Sequence, residues 1–324
     1  MRYSMYLLAV VCLLSFHSCQ DLGGKKFVYL AHTLPTSHPV HQGIEVFAES
    51  LRKRSQGEMD VKIFPDGQLG TEREVLELLQ IGSIAMTKVS TATMANFAPE
   101  YKVLGAPYLF RSKEHMFKVL EGATGKDILK AGSDYLLKGL CFYDAGSRSF
   151  YTVKKPIKTP EDLAGMKIRV MNHQMSVDMV NEMGGSATPM AYGELYSALE
   201  QGVVDGAENN PPSFVTSGHY EIAKYYTLDE HTSVPDVLVM GTEFWKTLNE
   251  QEQEWVMAAA EESAQAQKVF WSKNVAECMT KLAAEGVEIY KPEKQLFAES
   301  SKGVLAEFSE DPMMKKLVEE IQEQ

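Results

Sequence analysis

An α/β protein of two lobes, bridged by one long helix, is what this sequence predicts. Three observations lead there. The chain has 324 residues, more than one ordinary domain requires. Strand and helix signals alternate from Lys26 onward, the pattern of open sheets covered by helices on both faces. A helical stretch from Asn249 to about Glu285 contains no proline or glycine; it is too polar to cross a membrane and long enough to bridge two lobes.

In chain order, Lys26–Ala31 reads as a buried strand. Ser37 can cap a helix from about His38 to Arg54, closed by Gly57. Met59–Phe64 alternates as a strand and ends in the turn Pro65-Asp-Gly67. Thr71 and Glu74 form a capping box, opening a helix with Val75, Leu78 and Leu79 on one face and Gly82 at its end. Ile84–Val89 is a further strand. In the second half, Thr159 and Pro160 start a short helix that Gly165 stops, and Met166–Val170 follows as a strand. Ser186–Met190 and Val203–Glu208 are extended, with a helix from Tyr192 to Gln201 between them.

The N-terminus carries an export signal. Arg2 precedes an apolar run from Met5 to Phe16, and Ser18-Cys19 follows. A cysteine at that position makes residues 1–18 similar to a lipoprotein signal, with Cys19 as the acylated first residue and 19–26 as a tether. The residues Phe16-His17-Ser18 depart from the usual pattern before such a cysteine, and an ordinary secretory signal stays open. Removing residues 1–18, which hold Arg2 and no acid, takes the net charge from −12 to −13. That charge argues against nucleic acid and against adsorption on an anionic membrane. Cys141 and Cys278 have no metal-like spacing, and the sequence leaves thiols or a disulfide open. His38 and His41 share a helix face without an evident carboxylate ligand, so no metal is expected, and no cofactor.

Candidate binding residues come from strand ends, because open α/β sheets bind ligands beyond the carboxyl ends of their strands. Arg169 alternates with the apolar Ile168 and Val170 and so faces away from them near a strand's end. On a covered face it needs an anion, either a ligand carboxylate or an internal partner such as Glu208. Asn209 follows the strand ending at Glu208; it is a ligand amide or a turn residue before Pro211. There is no nucleophile elbow, zinc-protease helix or phosphate loop, and Asp205 and Glu208 point to opposite strand faces. A secreted enzyme on sugar acids therefore has no chemistry-bearing motif behind it.

Phe64-Pro-Asp-Gly-Gln-Leu-Gly-Thr-Glu-Arg-Glu74, Gly105-Ala-Pro-Tyr-Leu-Phe110, Leu163-Ala-Gly-Met-Lys-Ile-Arg-Val170, Thr188-Pro-Met-Ala-Tyr-Gly-Glu-Leu-Tyr196 and Gly202-Val-Val-Asp-Gly-Ala-Glu-Asn-Asn-Pro211 occur in this order. Together they resemble the solute-binding proteins of tripartite ATP-independent periplasmic (TRAP) transporters, the DctP-like family. The resemblance implies a two-lobe periplasmic-binding-protein fold with a ligand cleft, closing on a small organic acid and handing it to membrane permease subunits. It puts the lobes at 27–147 plus about 235–274, and 148–234 plus about 275–324. It assigns the carboxylate clamp to Arg169, a second cleft arginine to Arg148, an amide ligand to Asn209, and cleft positions to Asn172 and Tyr192. Read alone, Arg148 is a surface arginine and Tyr192 opens an amphipathic helix. The family's sialic-acid branch has a glutamate where this chain has Ser90-Thr91, so that ligand is not carried over. Gly184–Met190, Glu208–Pro212 and Leu228–Thr232 are more similar to members that bind hexuronates such as glucuronate or galacturonate; a C4-dicarboxylate is the alternative. That likeness makes His32, Glu72, Arg73 and Ser90 candidates for hydroxyl contacts, although Glu72 also suits a helix's first turn.

Overall fold

The computed structural model describes residues 25–324; the signal peptide, Cys19 and all of the expected tether except Lys25 and Lys26 lie outside them. The first sheet has the order β2 (Met59–Phe64), β1 (Lys26–Ala31), β3 (Met86–Ser90), β10 (Asp236–Gly241), β4 (Leu137–Tyr143). The second has the order β11 (Glu288–Tyr290), β9 (Tyr225–Thr232), β5 (Arg148–Thr152), β8 (Gly206–Asn209), β6 (Lys167–Val170), β7 (Ser186–Pro189).

The strands β1, β2 and β3 pair in parallel, as do β6, β7 and β8. The antiparallel members are β10, between β3 and β4, and β5, between β8 and β9. Both arise where the chain changes lobe. The links Asp144–Ser147 and Ser233–Pro235 are too short for the helical crossover a parallel strand needs, so each crossing strand enters its new sheet reversed. The two crossings run side by side, with Asp236 opposite Tyr143 and Arg148 opposite Thr232.

The helix Glu250–Ala284 spans both lobes, roughly 50 Å at 1.5 Å per residue. Asn249 caps it through Glu252, a capping box. Its Val256, Ala259, Ala260 and Trp271 join Val28, Leu30, Ile44 and Phe47 in the first lobe's core, and its Leu282 joins Tyr151, Phe214 and Tyr226 in the second's. Small residues let it approach the helix Pro39–Arg54 closely: a Cβ on Gly43 would stand 2.7 Å from Cβ of Gln267. Gln267 is buried and grips the first crossing, donating to the Asp144 carbonyl at 2.7 Å and accepting the Asp144 amide at 2.8 Å.

Four expectations need adjustment. The cap of the first helix is His38, whose Nδ1 accepts the Val40 amide, rather than Ser37. The strand Lys26–Ala31 is covered on one side only: Val28 and Leu30 are buried, while Phe27 and Tyr29 are exposed and stack on each other. The apolar face of the helix Glu72–Gln80 buries Val75, Leu76 and Leu79. The terminal helix Pro312–Gln322, expected with the second lobe, returns to the first, packing on Pro99–Gly105 and Ala123–Ala131. Its Met314, Val318 and Ile321 enter the core there, and its last carbonyls take donors from His115 (2.9 Å) and Arg111 (2.7 Å). Cys141 and Cys278 are free thiols. No described helix is long and apolar enough to cross a membrane.

Candidate functional site

A cavity of about 190 Å³ lies between the lobes, beside the two crossings. Arg148, Arg169, Asn172, Tyr192, Asn209, Glu72 and Ser90 all line it. His32 does not. It is buried in the first lobe, where its ring nitrogens meet His41 (2.9 Å) and the Leu34 amide (3.2 Å).

Arg169 projects from β6 on the face opposite Ile168 and Val170 and is 2% exposed. Its Nε and Nη2 donate to one acceptor, the Met190 carbonyl, at 3.0 and 2.7 Å. Nη1 is buried without any partner, and no carboxylate lies within ion-pairing distance among the described residues. Burial lowers its pKa, with Glu208 only partly countering. The Tyr192 ring sits 5.8 Å beneath the guanidinium, and the Tyr192 hydroxyl is held by Ser217 (2.6 Å) and the Ser213 carbonyl (3.3 Å). Because Met190 occupies the Nε–Nη2 edge, the edge formed by Nη1 and Nη2 retains hydrogens for an acceptor in the cavity.

Arg148 heads β5, and four hydrogen bonds tie it to Glu208 and Asn209. Nε and Nη2 grip the Glu208 carboxylate, Nη2 also donates to the Glu208 carbonyl at 2.7 Å, and Nη1 donates to Oδ1 of Asn209 at 2.9 Å. The sequence left Glu208 open as a partner for Arg169; the strand pairing of β5 with β8 gives it to Arg148. Burial alone would raise the Glu208 pKa, but Arg148 and His231 hold it down at about 2. His231 lies between Glu208 and Asp229 (2.7 Å to the latter), and these carboxylates outweigh burial to raise its pKa to about 9. With Oδ1 of Asn209 fixed by Arg148 and by the Asn210 amide, its Nδ2 faces away from both.

The first lobe supplies the opposite wall. The Thr71–Glu74 box sets Glu72 at the head of its helix, where its carboxylate accepts the Ser90 amide (3.1 Å) and the Thr93 hydroxyl (2.7 Å). Lys88, 3% exposed, reaches Glu72 at 3.4 Å and Asp236 at 3.1 Å. Sequence reasoning missed Lys88, Asp236, Thr93 and Asn96. A lysine amid Met86, Thr87 and Val89 of a buried strand, and an acid opening the apolar run Val237–Met240, were the available signals. Arg73 reaches the rim but pairs with Glu77 and is exposed.

The lobes touch at several points: Asn96 donates to the Asn172 carbonyl (2.8 Å) and His38 meets the Ser213 hydroxyl (3.3 Å) at the cavity, and away from it the Tyr108 amide donates to the His231 carbonyl (2.9 Å). No cluster of His, Cys, Asp and Glu suited to a metal occurs among the described residues. The arrangement can hold a small anion by its charge and surround it with donors and acceptors.

Residues 30–311 match the family described as bacterial extracellular solute-binding protein, family 7 (DctP). A solute-binding protein of Chromohalobacter salexigens is 35% identical over 291 residues, 89% of this chain and 87% of that one. The solved structure of a TRAP periplasmic solute-binding protein from Bradyrhizobium sp. BTAi1, in complex with α/β-D-galacturonate, is similar with a TM-score of 0.90 at 38% identity, covering 92% of this chain and 100% of the other. One from Pseudomonas putida F1 with bound D-glucuronate gives 0.87 at 37% identity, covering 90% and 96%. Two lobes, a cleft with an unpaired buried arginine and a family match over most of the length converge: this chain belongs to the DctP family of bacterial extracellular solute-binding proteins.

Proposed function

We propose that this chain is the extracytoplasmic receptor of a TRAP transporter and captures a hexuronate, delivering it to membrane permease subunits without transforming it. The single observation that supports this most is the buried Nη1 of Arg169, beside the cavity and without a partner among the described residues. A buried guanidinium left unpaired is costly, and a ligand carboxylate on its free edge would relieve that cost. Around it, Nδ2 of Asn209 offers a donor, and Glu72 and Asp236 offer acceptors, a mixture that suits sugar hydroxyls. The galacturonate and glucuronate held by the similar structures point to the same ligand class. Asn172, Tyr192 and Ser90 complete the proposed ligand shell, and Cys19 is the proposed lipid anchor. Arg148 acts by fixing Asn209 rather than by touching the carboxylate.

Titration calorimetry of the purified receptor with glucuronate, galacturonate, succinate and malate tests the reading. Tight binding of at least one hexuronate, with weak binding of the dicarboxylates, is the expected result. Binding of succinate or malate alone would replace the ligand while leaving the receptor role. Lipid labelling that survives Cys19→Ala would remove the anchor.

A further inference from the structure

The cation of the first-lobe wall has no evident need for a ligand. Lys88 Nζ bridges two carboxylates, Asp236 at 3.1 Å and Glu72 at 3.4 Å, and all three side chains line the cavity. Asp236 uses Oδ2 for that bridge, and its Oδ1 accepts no hydrogen bond from the described residues. Burial raises the Asp236 pKa against the pull of Lys88; for Lys88 burial acts downward, but the two carboxylates outweigh it and raise its pKa. By geometry the wall sets one ammonium between two carboxyl groups. The second-lobe wall differs: its Arg148 is balanced by Glu208, which leaves Arg169 as the uncompensated cation.

This asymmetry orients an anion and limits its charge. A carboxylate placed on Arg169 turns the rest of the ligand toward Glu72, Lys88 and Asp236. Hydroxyls fit there, donating to Oδ1 of Asp236 and accepting from Lys88. Among the described residues, a second carboxylate would find Lys88 already shared by two acids and Arg73, exposed at the rim, already paired with Glu77, so it would meet net repulsion from Glu72 and Asp236. We infer that Asp236 and Glu72, bridged by Lys88, are the specificity-determining residues that admit a hydroxylated monocarboxylate and reject a dicarboxylate. The inference deepens the hexuronate reading and rests on it for the ligand's identity.

The test compares a hexuronate with its hexarate, which carries a second carboxylate at the opposite end, and with succinate. Each is titrated against wild type, Asp236→Asn, Glu72→Gln and the double variant, with melting curves to establish folding. Wild type should prefer the hexuronate. Each neutralised acid should shift the hexarate-to-hexuronate affinity ratio toward the dicarboxylate by roughly tenfold, an order-of-magnitude expectation for one like charge removed from a partly dry site. The single variants keep Lys88 paired with one acid, so they serve if the double variant does not fold. An unchanged ratio in the folded variants, or equal wild-type affinity for both sugar acids, would overturn the inference. If wild type binds no hexuronate but another monocarboxylate, the ligand assignment fails, and the same ratio measured with that acid and its dicarboxylate still decides this one.

Discussion

Arg148 and Arg169 are both buried, both stand at strand ends in the second lobe, and both line one cavity, yet their surroundings are opposite. Arg148 has a carboxylate, a carbonyl and an amide oxygen. Arg169 has one carbonyl and a buried nitrogen with nothing to meet. Burial of a cation says only that something must compensate it; the partners reveal whether that is the protein or the ligand. By its partners Arg148 belongs to the scaffold, and Arg169 is the arginine proposed to hold the ligand.

The comparison breaks if the two arginines respond alike to truncation. Arg148→Ala should lower stability by about 3 kcal/mol, because it leaves the buried Glu208 carboxylate with only His231, which Asp229 shares. Chemical denaturation of ligand-free protein measures this. Arg169→Ala should change ligand-free stability little, since the lost bonds to the Met190 carbonyl are offset by removing a buried charge with no ion pair among the described residues, while weakening binding by ~3 kcal/mol, more than a hundredfold. Arg169→Lys should not restore affinity, because an ammonium cannot present two hydrogens in a plane to both the carboxylate and Met190. A folded Arg169→Ala protein that binds hexuronates normally would make this arginine structural.

The same logic sorts two buried histidines and sets a pH dependence. His231, flanked by carboxylates, is held protonated with a pKa of about 9; His173, whose Nδ1 has no partner, is held neutral at about 4 by burial and by Lys102. The stability from His231 is complete below its ordinary 6.5 and is lost as pH rises toward 9. For His173 the unfolded chain takes up the proton first, so stability falls as pH drops from 6.5 toward 4, by about 3 kcal/mol over the interval. Denaturation measured across pH should show part of the acid limb flattened in His173→Gln and retained in wild type. An identical acid limb in both would remove His173 from this account.

What the sequence revealed and what it hid divide along the range of the interactions. Lys26–Ala31 and Met59–Phe64 emerged with the same bounds, and the Thr71–Glu74 box was visible, because periodicity and capping act within a few residues. Arg169 was visible through alternation on one strand. The identity of its neighbours was not: Glu208 sits 60 positions from Arg148, and Asp236 lies 148 from Lys88, pairings that only the sheet order creates. His32 failed as a cavity residue for the same reason, since its partner His41 reaches it from the packed helix. A single chain shows which residues need partners far better than it shows which partners they find.

Asn209 provides the smallest and finest test, because it is bonded to Arg148 and is also proposed as a ligand donor beside Arg169. Its Oδ1 belongs to the scaffold, taking Nη1 of Arg148 and the Asn210 amide at 2.9 Å each. Those bonds orient the amide, so Nδ2 is left as a donor beside the cavity. Asn209→Ala removes both functions, and they separate by readout. Losing the Arg148 contact should lower ligand-free stability by about 1 kcal/mol, well below the loss in Arg148→Ala, because the Glu208 pairing survives. Losing the Nδ2 donor should weaken hexuronate binding by about 1 kcal/mol, roughly five- to tenfold, well below the loss in Arg169→Ala. A change in stability with untouched affinity would place Asn209 wholly in the scaffold, and the line between the two arginines would then fall between Asn209 and the ligand.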